Sequence, residues 1–541
     1  MKLDYNAHTQ SFILYLGRPD FGRVAEIVND HGWDVSKPAS NADRRVLFTR
    51  EPFAALAFFE SGTEAARENL IPLWNEVERS RRKISNARFR TPYGKELWPF
   101  QRAGVEYALG RQNTLIGDQP GLGKTPTSIV LANELRAKRV LVVCPANIRL
   151  QWADMIYAWS TMEDRYIVYP ILNSRRGVHP FAHWTIVSYD LARTGPIHAA
   201  LSQGRYDLAI LDEAHYLKTP DANRTKALFD EHTGLLAKAE RVVALTGTPL
   251  PNRPRECYTL ARSLAWDSIG YASEKDFRER YNPSRTVHKK DPWTGEILGL
   301  HKEEKVGRLP ELQHRLRASF MVRREKREVL TQLPEIRHQI VHLEETGAIR
   351  KALEAESMLE IDPSNLKGAN AKILGMISTV RLQMGVAMAE PAADYCDMLF
   401  DGGEDKLFIV AWHHAVMDIL EKKLAKWGIV RVDGSSSPRW RQMAVEKFRT
   451  ERGVRGFLGQ MQAIGVGVDG LQGVCSHMVG VETSWTPGDN QQVVDRLHRI
   501  GQKEGVLADW LAVPNSFAER IIATATRKLR NIHSALDKDH G

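Results

Sequence analysis

Between about Leu97 and Arg324, short continuous apolar runs alternate with amphipathic stretches. RVLVVCPA, HWTIVSYD, YDLAILDEAH and RVVALTGTP each end in polar or glycine-containing residues. Runs of this kind suit strands buried on both faces, as in a parallel sheet whose working loops leave the carboxyl ends. The pattern returns later in KLFIVAW, IVRVDG, RGFLGQ and HMVGVE. Between the two series, residues 331–400 are charged and read as a mostly helical connector. Ahead of them, residues 1–85 read as a small mixed unit, with QSFILYLG and RRVLFTR as strands and PDFGRVAEIVNDHG and AARENLIPLWNEVERSRRKI as helices. The stretch SFAERIIATATRKLRNIHSALDK has apolar positions at helical spacing and is expected to pack back on the second series. The expected division is 1–85 as an accessory α+β unit, 86–330 as a first α/β lobe with a basic helical insertion, 331–400 as the connector, and 401–541 as a second α/β lobe.

Composition changes this picture little. The chain has 541 residues, 43% hydrophobic and 26% charged, so a large core needs no metal or disulfide to hold it. Cys144, Cys257, Cys396 and Cys475 are far apart, with neither metal-ligand nor redox spacing, which points to a reducing compartment. The opening residues do not resemble a signal peptide, and no stretch is long and apolar enough to span a membrane. The expected location is cytoplasmic or nucleoid-associated. A net charge of +9 suits a polyanionic partner without proving one.

LIGDQPGLGKTPTSIVLANEL has the order strand, glycine-rich loop, helix. The strict phosphate-loop pattern fails at its first position, where Asp118 replaces glycine, but Gly121, Gly123, Lys124 and Thr125 are intact. Small glycines let backbone N–H groups face phosphate oxygens, and the helix adds its positive end. Lys124 would meet the β- and γ-phosphates of ATP, and the Thr125 hydroxyl would hold Mg2+. A phosphate loop needs a carboxylate partner, and LAILDEAH offers Asp212 for the metal and Glu213 for the attacking water. An acidic pair can also simply cap a helix; the apolar strand before it and the loop upstream favour the catalytic reading. In ALTGTPLPN, Thr246 and Thr248 would supply hydroxyls and Gly247 a flexible backbone near both.

Taken in this order, the motifs resemble a superfamily-two helicase-like ATPase of the Swi/Snf type, over roughly residues 95–530. LWPFQRAGVEYAL, RASFMVRREKREVLTQLP and MQAIGVGVDGLQGVCSHMVGVETSWTPGDNQQVVDRLHRIGQ carry the resemblance, and the compact layout points toward the annealing-helicase branch. The resemblance implies two RecA-like lobes. Gln101 would read adenine, Gly467 and Asp469 would contact the nucleotide, and Arg496 and Arg499 would reach across the cleft as arginine fingers. Gln492 and His498 would support the closed geometry, although a structural histidine is an equal reading of His498. A positive charge on a separate lobe reaches the γ-phosphate only when the lobes close, which is what a motor needs.

The resemblance also implies a nucleic-acid track. Its candidates are Asn147, Arg149, Trp152, Ser188 and Tyr189 on the first lobe, and Trp412, His413, Gln462 and Gly465 on the second. Trp440 and Trp485 read as core. The stretch 272–327, with REKREVL, would brace DNA or the other lobe. The leading expectation is a double-stranded DNA translocase using ATP and Mg2+. Alternatives are a strand-separating or annealing helicase, an ATP-switched clamp, and a motor subunit with a protein partner docked on residues 1–85. RNA would satisfy the same phosphate contacts.

Overall fold

The computed structural model describes residues 1–31, 33–35, 45–161, 166–250, 253–269, 273–290, 297–304, 306–358, 371–464 and 468–522. Strands β1 (Lys2–Asn6), β2 (Ser11–Leu16), β3 (Asp34–Val35) and β4 (Arg45–Thr49) form an antiparallel sheet in the order β1-β2-β4-β3. Phe12, Leu14 and Leu16 alternate along β2 and pack with Leu3, Trp33, Leu47 and Leu70. Leu70 belongs to the helix Glu64–Arg81, which starts where Thr63 Oγ1 accepts from the Ala66 N–H at 3.3 Å.

This unit is tied to the first lobe through the helix Leu309–Ser319. Buried Glu311 accepts from Arg280, Tyr281 and Arg315, and Arg315 also pairs with Glu51 of the N-terminal unit. Ser80 Oγ donates to the Met321 carbonyl at 2.7 Å, and His314 Nδ1 lies 3.0 Å from the Phe53 carbonyl. Buried charges and polar groups need such partners, so removing residues 1–85 would strip a polar seam from the first lobe.

The first lobe holds β5 (Asn113–Ile116), β6 (Val140–Cys144), β7 (Val168–Pro170), β8 (Trp184–Ser188), β9 (Leu208–Asp212) and β10 (Val242–Leu245). A hairpin of β11 (Ser284–Lys290) and β12 (Ile297–Glu304) follows, then β13 (Met321–Val322). The sheet order is β13-β5-β10-β9-β6-β8-β7, parallel throughout. Helices cover both faces, which is why β6 and β8 are buried at every residue. The basic insertion, expected to be helical, contains the β11–β12 hairpin between the helices Glu274–Tyr281 and Leu309–Ser319. Turn-forming Asp291, Pro292 and Gly295 separate its two strands in the sequence, a hairpin signal that the charge of the stretch obscured.

The second lobe holds β14 (Ile336–His342), β15 (Leu407–Ala411), β16 (Ile429–Val432), β17 (Gly456–Gln460), β18 (His477–Gly480) and β19 (Val506–Ala512). They form a second parallel sheet in the order β14-β19-β18-β15-β17-β16. Residues 331–400, expected as a helical connector, supply β14 and the long helix Ala371–Asp401. Met384, Met388, Ala392 and Cys396 of that helix join Leu407, Ile409 and Val479 in one core, so the segment is part of the second lobe. β14 escaped detection because it is a largely exposed edge strand with no continuous apolar run. The fold class is the expected one: two parallel α/β lobes and an antiparallel N-terminal sheet. The four cysteines are free and buried. Among the described residues no helix is long and apolar enough to cross a membrane. The stretch SFAERIIATATRKLRNIHSALDK is described only to Ile522, where Phe517 and Ile521 are buried; the rest of that expectation lies outside the described residues.

Candidate nucleotide site and nucleic-acid groove

A parallel sheet sends its loops out at one edge, and strand order decides which loops meet. β10 lies between β5 and β9, with Leu245 level with both Ile116 and Asp212. The glycine-rich loop, the Asp212–His215 turn and the Thr246–Thr248 segment therefore stand side by side.

Gly121 (φ +85°) and Gly123 (φ +75°) adopt the left-handed region, which glycine enters without the steric cost other residues bear. A Cβ on Gly123 would strike Gln101 Nε2, and one on Gly121 would lie 2.8 Å from Arg499 Cβ of the other lobe. Gln101 is buried, with Nε2 donating to the Leu122 carbonyl at 3.0 Å and Oε1 accepting from the Trp98 N–H at 2.9 Å. One end of its amide braces the loop and the other caps the start of its own helix, Pro99–Leu109. Lys124 Nζ donates to the Asp118 carbonyl at 2.8 Å. Burial pushes the Lys124 pKa down, against the pull of Glu213, Asp118 and Asp212. Thr125 sits in the first turn of the same helix, Lys124–Glu134.

Asp212 ends β9 and is held from three sides. Trp152 Nε1 donates to Oδ2 at 2.7 Å, the Glu213 N–H to Oδ1 at 2.9 Å, and Tyr189 OH to its carbonyl at 2.8 Å. Burial and the Glu213 charge raise its pKa to about 6. Glu213 has a left-handed backbone (φ +52°), a strain of about 1–3 kcal/mol of the kind found at working sites. Burial alone would raise its pKa, but His215, Lys124 and Arg496 outweigh burial and hold it below the usual range. His215 Nδ1 stands 3.2 Å from Glu213 Oε2 and 3.1 Å from Thr246 Oγ1, linking the two segments. Two neighbouring half-buried acids, one with its proton affinity raised in part by the other, form a donor set that a divalent cation relieves. Asp212 fits Mg2+ on that ground, and Thr125, in the first turn after the loop, remains the candidate hydroxyl ligand.

The second lobe closes the cleft. Arg499 donates from Nε to the Asp495 carbonyl at 2.9 Å and from Nη1 to Asp469 Oδ1 at 2.7 Å. Arg496 Nη1 donates to the Val468 carbonyl at 2.9 Å. Burial and Arg499 lower the Arg496 pKa to about 10, which leaves it charged at neutral pH. Asp469 is thus an anchor for Arg499. Gln492 is buried, and His498 Nε2 lies 2.9 Å from the Pro334 carbonyl, in keeping with the structural reading. Gly465 and Gly467 lie outside the described residues.

Asp118 explains its own departure from the strict loop pattern. Its carboxylate takes Arg324 Nε at 2.9 Å and Nη2 at 2.5 Å, with both side chains buried. Restoring glycine by Asp118→Gly is expected to leave Arg324 as an unpaired buried charge and destabilise the first lobe by about 3–5 kcal/mol, read as a lower midpoint in denaturant.

The family model described as SNF2-related domain matches residues 100–384, and the Helicase conserved C-terminal domain matches residues 392–501. The chain belongs to the SNF2-related family. It carries the helicase-like ATPase core of that family. Among curated relatives, the DNA annealing helicase and endonuclease ZRANB3 of Mus musculus is 29% identical, over 82% of this chain and 41% of its own length. The SWI/SNF-related matrix-associated actin-dependent regulator of chromatin subfamily A-like protein 1 of Xenopus tropicalis is 29% identical, over 82% of this chain and 45% of its own. The chain thus spans less than half the length of these two relatives. A solved structure described as the Sulfolobus solfataricus SWI2/SNF2 ATPase core in complex with dsDNA aligns at 16% identity and TM-score 0.38, over 83% of this chain and 99% of that one.

In this SNF2-related core, a groove of about 300 Å³ runs between the lobes beside the cleft. Asn147, Ser188 and Tyr189 line it from the first lobe, and Gln462 from the second. Tyr216 and Arg224 also line it; Tyr216 is 37% exposed and stacks on Tyr189 at 5.6 Å. Sequence reading missed both, although Tyr216 directly follows DEAH.

Several expected contacts lie elsewhere. Trp152 is a correction: its indole is buried and spent on Asp212, so it positions the acid and does not face the groove. Arg149 donates to the Ala146 and Ile171 carbonyls. The Trp412 and His413 N–H groups both donate to buried Glu482, and His413 Nδ1 lies 2.6 Å from its other oxygen. Arg381 stacks between Trp412 and Trp485. Trp440, expected in the core, is 38% exposed, with Nε1 donating to the Arg431 carbonyl.

Proposed function

We propose that this chain is a DNA-dependent ATPase that translocates along double-stranded DNA and remodels or displaces what is bound there. The observation that carries the reading is the single turn shared by the two sites. Glu213 faces Lys124 and Arg496 in the cleft, while Tyr216, whose N–H donates to the Glu213 carbonyl at 3.0 Å, lines the groove. A nucleic-acid strand in the groove would press on the turn that holds Glu213.

In the reaction, the glycine loop and Lys124 hold the β- and γ-phosphates of ATP. Glu213, kept ionised by its neighbours, orients the attacking water and accepts its proton. Mg2+ on Thr125 and Asp212 would neutralise charge on the β- and γ-phosphates. Trp152 and the Glu213 N–H keep the Asp212 carboxylate aimed. Arg496 and Arg499 stabilise charge on the transferring group, and only while the lobes are closed. Opening after hydrolysis would move the Gln462 side of the groove relative to Asn147 and Ser188, which is a step along the strand.

The printed name of the ZRANB3 relative favours a second reading, strand annealing. Both are tested with a triplex and a pair of complementary strands. ATP-dependent release of the triplex third strand, absent with Glu213→Gln, supports duplex translocation. Accelerated annealing of the pair without third-strand release would replace translocation with annealing.

A further inference from the structure

The segment just before the second lobe contains a buried cation that the mechanism above does not use. Lys326 opens the short helix Lys326–Val329, and its side chain is 5% exposed. Its Nζ donates to Asp495 Oδ1 of the second lobe at 2.5 Å and to the His498 carbonyl. Its backbone N–H donates to Gln119 Oε1 in the glycine-rich loop at 2.9 Å. A Cβ on Gly121 would lie 3.5 Å from Lys326 Cε, so the lysine stem runs along that loop.

Asp495 depends on this lysine. Its side chain is 2% exposed, Oδ1 receives Lys326 and Gln491 Nε2, and Oδ2 has no hydrogen-bond partner among the described residues. A carboxylate so deep needs a partner for its charge, and the cation that pairs with it comes from the opposite lobe. Asp495 also sets the fingers. It precedes Arg496, and its carbonyl takes Arg499 Nε at 2.9 Å.

We propose that Lys326 is a positioning residue for ATP hydrolysis: its pairing with Asp495 latches the lobes and holds Arg496 and Arg499 against the glycine-rich loop. The inference rests on the reading of the cleft as an ATPase site. Lys326 touches no reacting atom in this scheme; it acts through Asp495. Losing it leaves the phosphate loop intact, so ATP still binds, but the fingers lose their register.

The test uses the full chain with dyes at Arg175→Cys and Gln442→Cys, exposed positions on the two lobes. Lys326→Met is expected to lower kcat at least about tenfold while KM for ATP stays within about twofold, and to abolish the ATP-dependent gain in energy transfer between the dyes. Lys326→Arg is expected to restore most of both. Asp495→Asn should match Lys326→Met, and the double variant should be no worse than either single one, because one contact is lost once. If Lys326→Met does not fold, Asp495→Asn decides alone by the same readouts. Wild-type kcat and unchanged energy transfer in these variants would overturn the proposal. A wild-type chain that hydrolyses no ATP would overturn the ATPase reading instead.

Discussion

Arg496→Ala is expected to lower kcat for ATP hydrolysis by about a thousandfold, with KM for ATP moving far less. Arg496 is half-buried near Glu213, and it stays charged at neutral pH. A guanidinium placed there offsets charge that builds on the γ-phosphate in the transition state. It would add little to ground-state binding, which in the proposed scheme falls to the glycine-rich loop and Lys124. The loss should therefore fall on kcat. Arg496→Lys should recover little, since an ammonium cannot reproduce the planar fork. Single-turnover hydrolysis with ATP in excess of its KM reads this directly. A variant with unchanged kcat and raised KM would make Arg496 a binding residue and nothing more.

The second large effect is Glu213→Gln. It is expected to reduce hydrolysis by about a hundred- to ten-thousandfold, because the amide can orient water but cannot take its proton. Glutamine keeps the shape, so the left-handed turn, the Glu213–Asp212 backbone contact and the Tyr216 N–H bond should persist. Binding of ATP and nucleic acid should survive, and the closed complex should live longer than in the wild type. Nucleotide-exchange kinetics check that lifetime. The magnitude separates this variant from Asp118→Gly, whose effect falls on stability.

The legible parts were those written in adjacent residues. β6, β8, β9 and β10 are mostly apolar runs, and Lys124, Thr125, Asp212, Glu213, Arg496 and Arg499 stand in short motifs whose order carries meaning. What stayed hidden depends on residues distant in the chain. Trp152 looks like a surface aromatic after a strand, yet its partner Asp212 is 60 residues away. Asp118 looks like a lapse in the loop until Arg324, 206 residues on, is folded against it. Lys326 reads as one more charge in REKREVL, and only the closed lobes reveal Asp495 beside it, 169 residues away. β14 is an exposed edge strand, so its composition imitates a charged helix. Tyr216 is legible in the sequence, because it directly follows DEAH, in the turn after Glu213.

The central claim is that hydrolysis in the cleft is driven by a nucleic acid in the adjoining groove. Steady-state ATP hydrolysis by the wild type and Glu213→Gln, without nucleic acid and with duplex DNA, single-stranded DNA or duplex RNA, tests it most directly. The account predicts strong stimulation by duplex DNA alone, lost with Glu213→Gln. Full activity without nucleic acid, or stimulation by RNA only, would contradict it.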